Sequence, residues 1–231
     1  MTLILVLLAS LPGLCICFYI YLADSHEREP RLPLLLSFAL GAASTVWAYG
    51  AEMFGQSFGC FAGDNIITSA ALAFGVIAVS EEIPKYVVLR WYSYANKAFS
   101  EPLDGIVYSV MIGMGFATAE NLHYGWEYGA STLWVRAFTA VPAHATFAVA
   151  MGYFVGKAKF ADTVGQKVYF LACGLGLAIL LHGTYDFFLI QHLFLGSGIG
   201  ALLSLWLGIT LSRRMIGELE QRSRYTNGKW Q

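Results

Sequence analysis

Charge is what this sequence has least of. Only 13% of its 231 residues are Asp, Glu, Lys or Arg, where a soluble domain carries roughly 25%. That scarcity excludes a nucleic-acid binder, which needs a basic surface, and a disordered tail, which needs a solvated charged chain. Cysteine is scarce too, with four residues at positions 15, 17, 60 and 173. Cys15, Cys17 and Cys173 lie in apolar runs and only Cys60 falls in an expected loop, so a secreted disulfide scaffold is excluded. No C-x-x-C or Cys/His cluster suggests a structural zinc site. There is no H-E-x-x-H, no G-x-S-x-G and no serine or cysteine that stands out as a nucleophile. The first apolar run lacks a basic leader and a small-x-small cleavage site, so it reads as a span rather than a signal peptide.

What is present is apolar. Hydrophobic residues make up 57% of the chain and aromatics 15%, with a mean hydropathy of +0.59, which places the protein in a lipid bilayer. A helix needs about 20 mostly apolar residues to cross it. Seven stretches qualify, at roughly 2–22, 33–54, 66–92, 104–124, 133–156, 168–190 and 193–211. The expected fold is therefore all-α and polytopic. Residues 1–211 are expected to form one transmembrane domain, with the stretch 66–190 as the core that carries its candidate catalytic residues, identified below, and 212–231 to form a basic tail on the cytoplasmic side. No internal repeat is visible, and seven spans do not divide into matching halves, which weighs against a transporter built by duplication.

The basic residues sort by loop. Arg28 and Arg31, then Arg90 and Lys97, then Lys157, Lys159 and Lys167 fall at the first, third and fifth connections. Arg213, Arg214, Arg222, Arg224 and Lys229 fall in the tail, and only Lys85 and Arg136 lie within spans. The positive-inside rule then puts the N-terminus outside and the C-terminus in the cytoplasm.

Seven ionisable residues stand where lipid-exposed chain would not carry them: Glu81, Glu82, Lys85, Glu120, His144, His182 and Asp186. A charge at the bilayer centre costs ~2.5–3.5 kcal/mol on insertion scales. Five such charges, unpaired, would cost about 15 kcal/mol, comparable to the net stability of a whole domain. Glu81 and Lys85 are four residues apart on one helix and can neutralise each other, leaving Glu82, rotated about 100° away, free for other work. Pro84 lacks an amide proton and should kink the helix beside them. His182 and Asp186 are again four apart, so the carboxylate can orient the imidazole. Phe116 and Glu120 share a face, with Gly113 and Gly115 admitting a close neighbour.

Counting at 1.5 Å per residue puts His144 ~20 Å, His182 ~22 Å and Glu120 ~24 Å from the cytoplasmic edge. Glu82 joins that level, at ~22 Å, if its span is measured from Lys97. Two histidines and several carboxylates shielded from bulk water suit the activation of a water molecule, by a carboxylate base alone or beside a bound metal. His144, His182 and Glu120 are the candidate ligands for Zn²⁺, and the metal-free alternative stays open. Glu52, His123 and Arg136 lie near span ends and read as interfacial or snorkelling residues. His26 and His192 read as ordinary loop positions.

The run Glu81-Glu82-x-x-Lys85, then Phe116-x-x-x-Glu120-Asn121, then His144, then His182-x-x-x-Asp186 resembles the PrsW family of bacterial intramembrane proteases. These belong with the type II CAAX prenyl endopeptidases, whose wider pattern has His where this sequence has Glu120, and His144 is the residue available to take that place. The resemblance implies a multi-pass protein of the bacterial cytoplasmic membrane that makes the first, extracytoplasmic cut in a single-span anti-sigma factor during a stress response. It makes Glu81, Glu82, Glu120, His144, His182 and Asp186 the catalytic candidates, and Pro84, Lys85, Phe116 and Asn121 their supports; among them Glu82 is the expected base, because Lys85 can hold Glu81. The expected partners are that substrate and the bilayer, with no nucleic acid. The residues alone also admit a proton- or cation-coupled transporter, using the same groups as a relay, or a non-catalytic scaffold.

Overall fold

Each expected apolar run becomes helix in the computed structural model, which describes residues 3–24, 28–57, 65–191 and 196–227. His26, Cys60, His192 and Lys229 lie outside the described residues. The helices are α1 (Leu3–Ala23), α2 (Arg31–Ser57), α3 (Ile66–Ser93), α4 (Pro102–Tyr128), α5 (Ala130–Phe138), α6 (Ala140–Lys159), α7 (Val164–Ile190) and α8 (Ser197–Asn227). With α5 and α6 counted as one span, seven helical segments among the described residues are long and apolar enough to cross a membrane. No strand occurs among the described residues. The all-α polytopic expectation holds.

The boundaries differ from the apolar windows for local reasons. The α4 helix begins at Pro102 because Glu101 and Asp104 form a reciprocal capping box with proline in the first turn. Thr163 and Gln166 do the same for α7, adding a polar first turn that an apolar window misses. The fifth span is two helices rather than one, broken at Thr139 (φ −123°, ψ −76°). Gly129, at φ 80°, makes the turn between α4 and α5 in a conformation that favours glycine. The last helix starts at Ser197 and runs past 211 to Asn227, because Met215 and Leu219 still find the core and Tyr153 Oη donates to Glu218 Oε2 at 2.7 Å. Around Pro84 the ladder of α3 is irregular on both sides, with π-helical turns over Ala71–Ala78 and Leu89–Ser93.

The centre of the bundle is α4, buried along most of its length, with the α5–α6 span beside it. Glycine makes that possible. A Cβ on Gly115 would overlap the carbonyl of Phe38 in α2, and one on Gly105 would overlap the backbone of Gly152 and Gly156 in α6. Backbones packed this closely are a common membrane solution, since lipid offers helices no hydrophobic drive to associate. The α7 helix keeps little of its apolar surface inside, and Leu180 and Leu189 among others face outward, as a lipid-facing helix requires.

The first, third and fifth connections gather at one end. Tyr108 Oη donates to Glu29, Lys159 Nζ donates to the carbonyls of Tyr94 (2.7 Å) and Asn96 (3.3 Å), and the rings of Phe99 and Phe160 meet. That end carries the basic loops. At the other end Tyr49 of α2 meets His123 of α4, with ring centroids 5.0 Å apart.

Candidate functional site

Four helices supply one buried cluster. From α3 come Glu81, Glu82 and Lys85, from α4 Phe116, Glu120 and Asn121, from α6 His144, and from α7 His182 and Asp186. Measured along the helices, Glu120 and His182 lie ~27 Å and His144 ~22 Å from the ends that carry the basic loops. The convergence expected for Glu120, His144 and His182 is therefore real and sits nearer the opposite end, while Glu82 lies ~16 Å from the Ser93 end of α3 and reaches the same cluster.

Lys85 Nζ is at the middle of the cluster. It donates to Glu82 Oε1 at 2.8 Å and to Glu81 Oε2 at 3.1 Å, and lies 3.2 Å from His144 Nδ1. Its ammonium also sits 3.8 Å from the centre of the Phe116 ring. The expectation that Lys85 would hold Glu81 and leave Glu82 free is thus corrected: i,i+3 neighbours on a helix meet as readily as i,i+4 ones, and one ammonium has three protons.

The two histidines are held in the same way. His144 Nε2 lies 3.0 Å from Glu120 Oε2, and His182 Nε2 lies 3.1 Å from Asp186 Oδ2. Their Nδ1 atoms both turn inward, that of His144 toward Lys85 and that of His182 to 2.8 Å from Glu82 Oε1. With its Nε2–H donated to Glu120, the His144 ring presents a lone pair to Lys85 at the centre, as outer carboxylates arrange for metal-ligating histidines, whereas His182 Nδ1 donates to Glu82 Oε1 and must lose that proton before it can bind a metal. Phe147 stacks on His182 at 4.7 Å and fixes its plane.

A cavity of about 340 Å³ opens beside the cluster. Glu81, Glu120, His144, His182 and Asp186 line it, with Phe116 on its wall. Glu82 does not; it is 1% exposed behind the cavity, between Lys85 and His182.

Arg136 is the residue that sequence reasoning misplaced. Expected to snorkel at an interface, it turns inward from α5, lines the cavity and lies 2.7 Å from Glu120 Oε2. Its Nε donates to Asn121 Oδ1 at 2.6 Å, and its guanidinium lies 4.0 Å from the Tyr124 ring centre. A signal existed: Arg136 and Lys85 were the two basic residues outside the basic connections, and a span with a buried Glu120 needs a cation. Glu52 also lines the cavity, accepting from Ser80 Oγ at 3.3 Å, whereas His123 remains half exposed beside Glu127.

The donor atoms of Glu81, Glu82, His144 and His182 lie within 4.8 Å of one another. This set of two imidazoles and two carboxylates is of a kind that binds Zn²⁺ and similar ions. Glu120 stands outside the set, on the far side of the His144 ring and paired with Arg136, so its expected place among the ligands passes to the α3 glutamates.

Residues 29–211 match the model of the PrsW family intramembrane metalloproteases. The chain belongs to the PrsW family. It is 39% identical to Protease PrsW of Geobacillus kaustophilus over 197 residues, covering 84% of each chain. It is 33% identical to Protease PrsW of Shouchella clausii over 96% of this chain and 98% of that one, and 36% identical to the Clostridioides difficile protein of the same name over 82% and 80%. No solved structure matches. The protein is accordingly an intramembrane protease in a bacterial membrane, crossed several times. The transporter reading finds no favour among these relatives, and the buried donor set agrees with the metalloprotease description of the family.

Proposed function

We propose that this PrsW-family protease hydrolyses a peptide bond of a single-span anti-sigma factor near the extracytoplasmic face, the first of the cuts that free a sigma factor under stress. The orientation in this reading has the N-terminus outside and the C-terminus, with the basic loops, in the cytoplasm. The catalytic core is then residues 66–190. The observation that carries the reading is the cavity toward the non-basic end, lined by Glu81, His144 and His182, since it gives a membrane-embedded peptide access to water-activating groups.

In this mechanism Glu81 is the general base, in preference to Glu82, because Glu81 lines the cavity while Glu82 is enclosed by Lys85 and His182. Glu81 takes a proton from water as its oxygen bonds to the scissile carbonyl carbon, and delivers that proton to the departing amine as the C–N bond breaks. Glu82, His144 and His182 would hold a divalent ion, which when bound supplies polarisation of the carbonyl. Arg136 fixes Glu120, Glu120 fixes His144, and Asp186 fixes His182. Phe116 packs against the His144 ring and Phe147 stacks on that of His182, holding both imidazoles in place.

The test is cleavage in liposomes of a purified single-span anti-sigma factor, with the cut located by mass spectrometry. Cleavage on the extracytoplasmic side of its span, lost on chelation and regained with zinc, is the expected result. A cut on the cytoplasmic side would overturn the proposed orientation, and cleavage indifferent to chelator would assign the chemistry to glutamate-activated water alone.

A further inference from the structure

The candidate metal set already contains a cation, and that cation is covalently part of the chain. Lys85 Nζ lies 2.8, 3.1 and 3.2 Å from donor atoms of Glu82, Glu81 and His144, which are three of the four residues whose atoms converge. We propose that Lys85 is the resident counter-ion of this site and that its ammonium and a divalent metal ion are alternative occupants of one place. Metal then enters only as Lys85 withdraws.

Three observations carry this. The first is size. Ligands around tetrahedral zinc, bonded at ~2.0–2.1 Å, stand ~3.4 Å apart, whereas acceptors around an ammonium at ~2.9 Å stand ~4.7 Å apart. The donor atoms here lie within 4.8 Å of one another, no wider than the shell of an ammonium, and a metal would draw the widest pairs inward. The second is occupancy. His144 Nδ1, the lone pair that Glu120 turns inward, faces Lys85 Nζ, and Glu82 Oε1 is shared between Lys85 Nζ and His182 Nδ1. A metal bound to these atoms would stand in contact with the ammonium, and two cations at that separation in a buried site repel strongly. The third is an exit. The ammonium is already 3.8 Å from the Phe116 ring centre, so a modest swing of a flexible four-carbon stem keeps it against an aromatic face while releasing the histidine. Lys85 is 4% exposed, which denies it a retreat to water.

On this account Lys85 holds α3, α4 and α6 together, and α7 through Glu82, in a metal-ready arrangement without metal, and sets the affinity at which metal binds. The inference rests on the metal-binding reading of the cluster and not on the identity of the substrate, so its readout is metal occupancy rather than proteolysis.

The experiment uses the full chain in detergent, stripped by chelator and dialysed against graded Zn²⁺, with bound metal counted by elemental analysis. Lys85→Met is expected to bind one zinc ion per chain at least tenfold more tightly than wild type, and Lys85→Met/His144→Ala to lose that gain. Equal affinity in wild type and Lys85→Met, weaker binding by Lys85→Met, or a gain that survives the His144→Ala change would overturn the proposal. Removing the lysine leaves two buried glutamates without their cation, which can prevent folding. A second measurement therefore uses wild type alone, labelled with ¹³C at the lysine ε-carbon, with Lys85 assigned by the signal missing from Lys85→Arg. The Lys85 resonance is expected to move as zinc is added, and a resonance that stays in place up to millimolar zinc overturns the proposal.

Discussion

Two buried polar clusters lie in this bundle, and they are built differently. At the end with the basic loops, Asp104 Oδ2 accepts from the backbone amides of Ser100 and Glu101 at 2.7 and 2.8 Å, and Lys159 donates to backbone carbonyls of the third connection. Those side chains satisfy helix ends and tie loops together. At the other end, Lys85, Glu81, Glu82, His144, Glu120, Arg136, His182 and Asp186 bond mainly to one another rather than to backbone. Burial alone does not separate structure from chemistry in a membrane. What separates them is the setting: in one case bonds to backbone and short side-chain pairs such as Tyr108–Glu29 that tie loops and helix ends, in the other side chains bonded to one another and facing a cavity.

That contrast makes predictions of opposite kinds. The largest effect belongs to Glu81→Gln, which keeps shape and removes the base. Cleavage should fall by about 10²–10⁴-fold while the melting temperature stays near that of wild type, measured by quantitative cleavage and by thermal unfolding in detergent. Arg136→Ala should cost about 10–100-fold in rate, the range for losing an outer partner of a ligand. Arg136→Lys should recover only part of it, because one ammonium cannot serve both Glu120 and Asn121 with the geometry of a guanidinium. Full activity in Arg136→Ala would remove Arg136 from the support chain.

The other cluster should behave in reverse. Asp104→Ala removes the return half of a capping box and should lower stability by about 1 kcal/mol, with the cleavage rate per folded molecule unchanged. Smallest of all, His123→Ala, half exposed beside Glu127, should stay within about 0.5 kcal/mol of wild type and cleave normally. A catalytic defect there would extend the site to a residue outside the cavity.

How much of this the sequence disclosed follows from what kind of signal each feature leaves. Span number was legible because a bilayer demands length and apolarity in one continuous run, and that demand is local. The break at Thr139 was not, since a helix divided between α5 and α6 keeps the same hydropathy. The grouping of Glu82, Glu120, His144 and His182 was legible through cost, because ionisable groups so deep must find each other. Which partner each takes was not legible. Helical spacing allowed Lys85 to reach Glu81 and equally Glu82, and only the placement of α6 brings His144 to the same ammonium. Arg136 was misread because distance from a span end says how far a side chain could snorkel, not which way it turns. The choice of Glu82 as base rested on its being free, and the enclosure of Glu82 by Lys85 and His182 moves the proposed role to Glu81.

The central claim is that one buried cluster does chemistry and the other holds the fold. It is tested most directly by measuring, in the same liposomes, the cleavage rate per folded molecule of Glu81→Gln and Asp104→Ala against wild type. The account predicts a loss of at least about 100-fold for Glu81→Gln and none for Asp104→Ala. Comparable rates in the two variants, or a loss confined to Asp104→Ala, would contradict it.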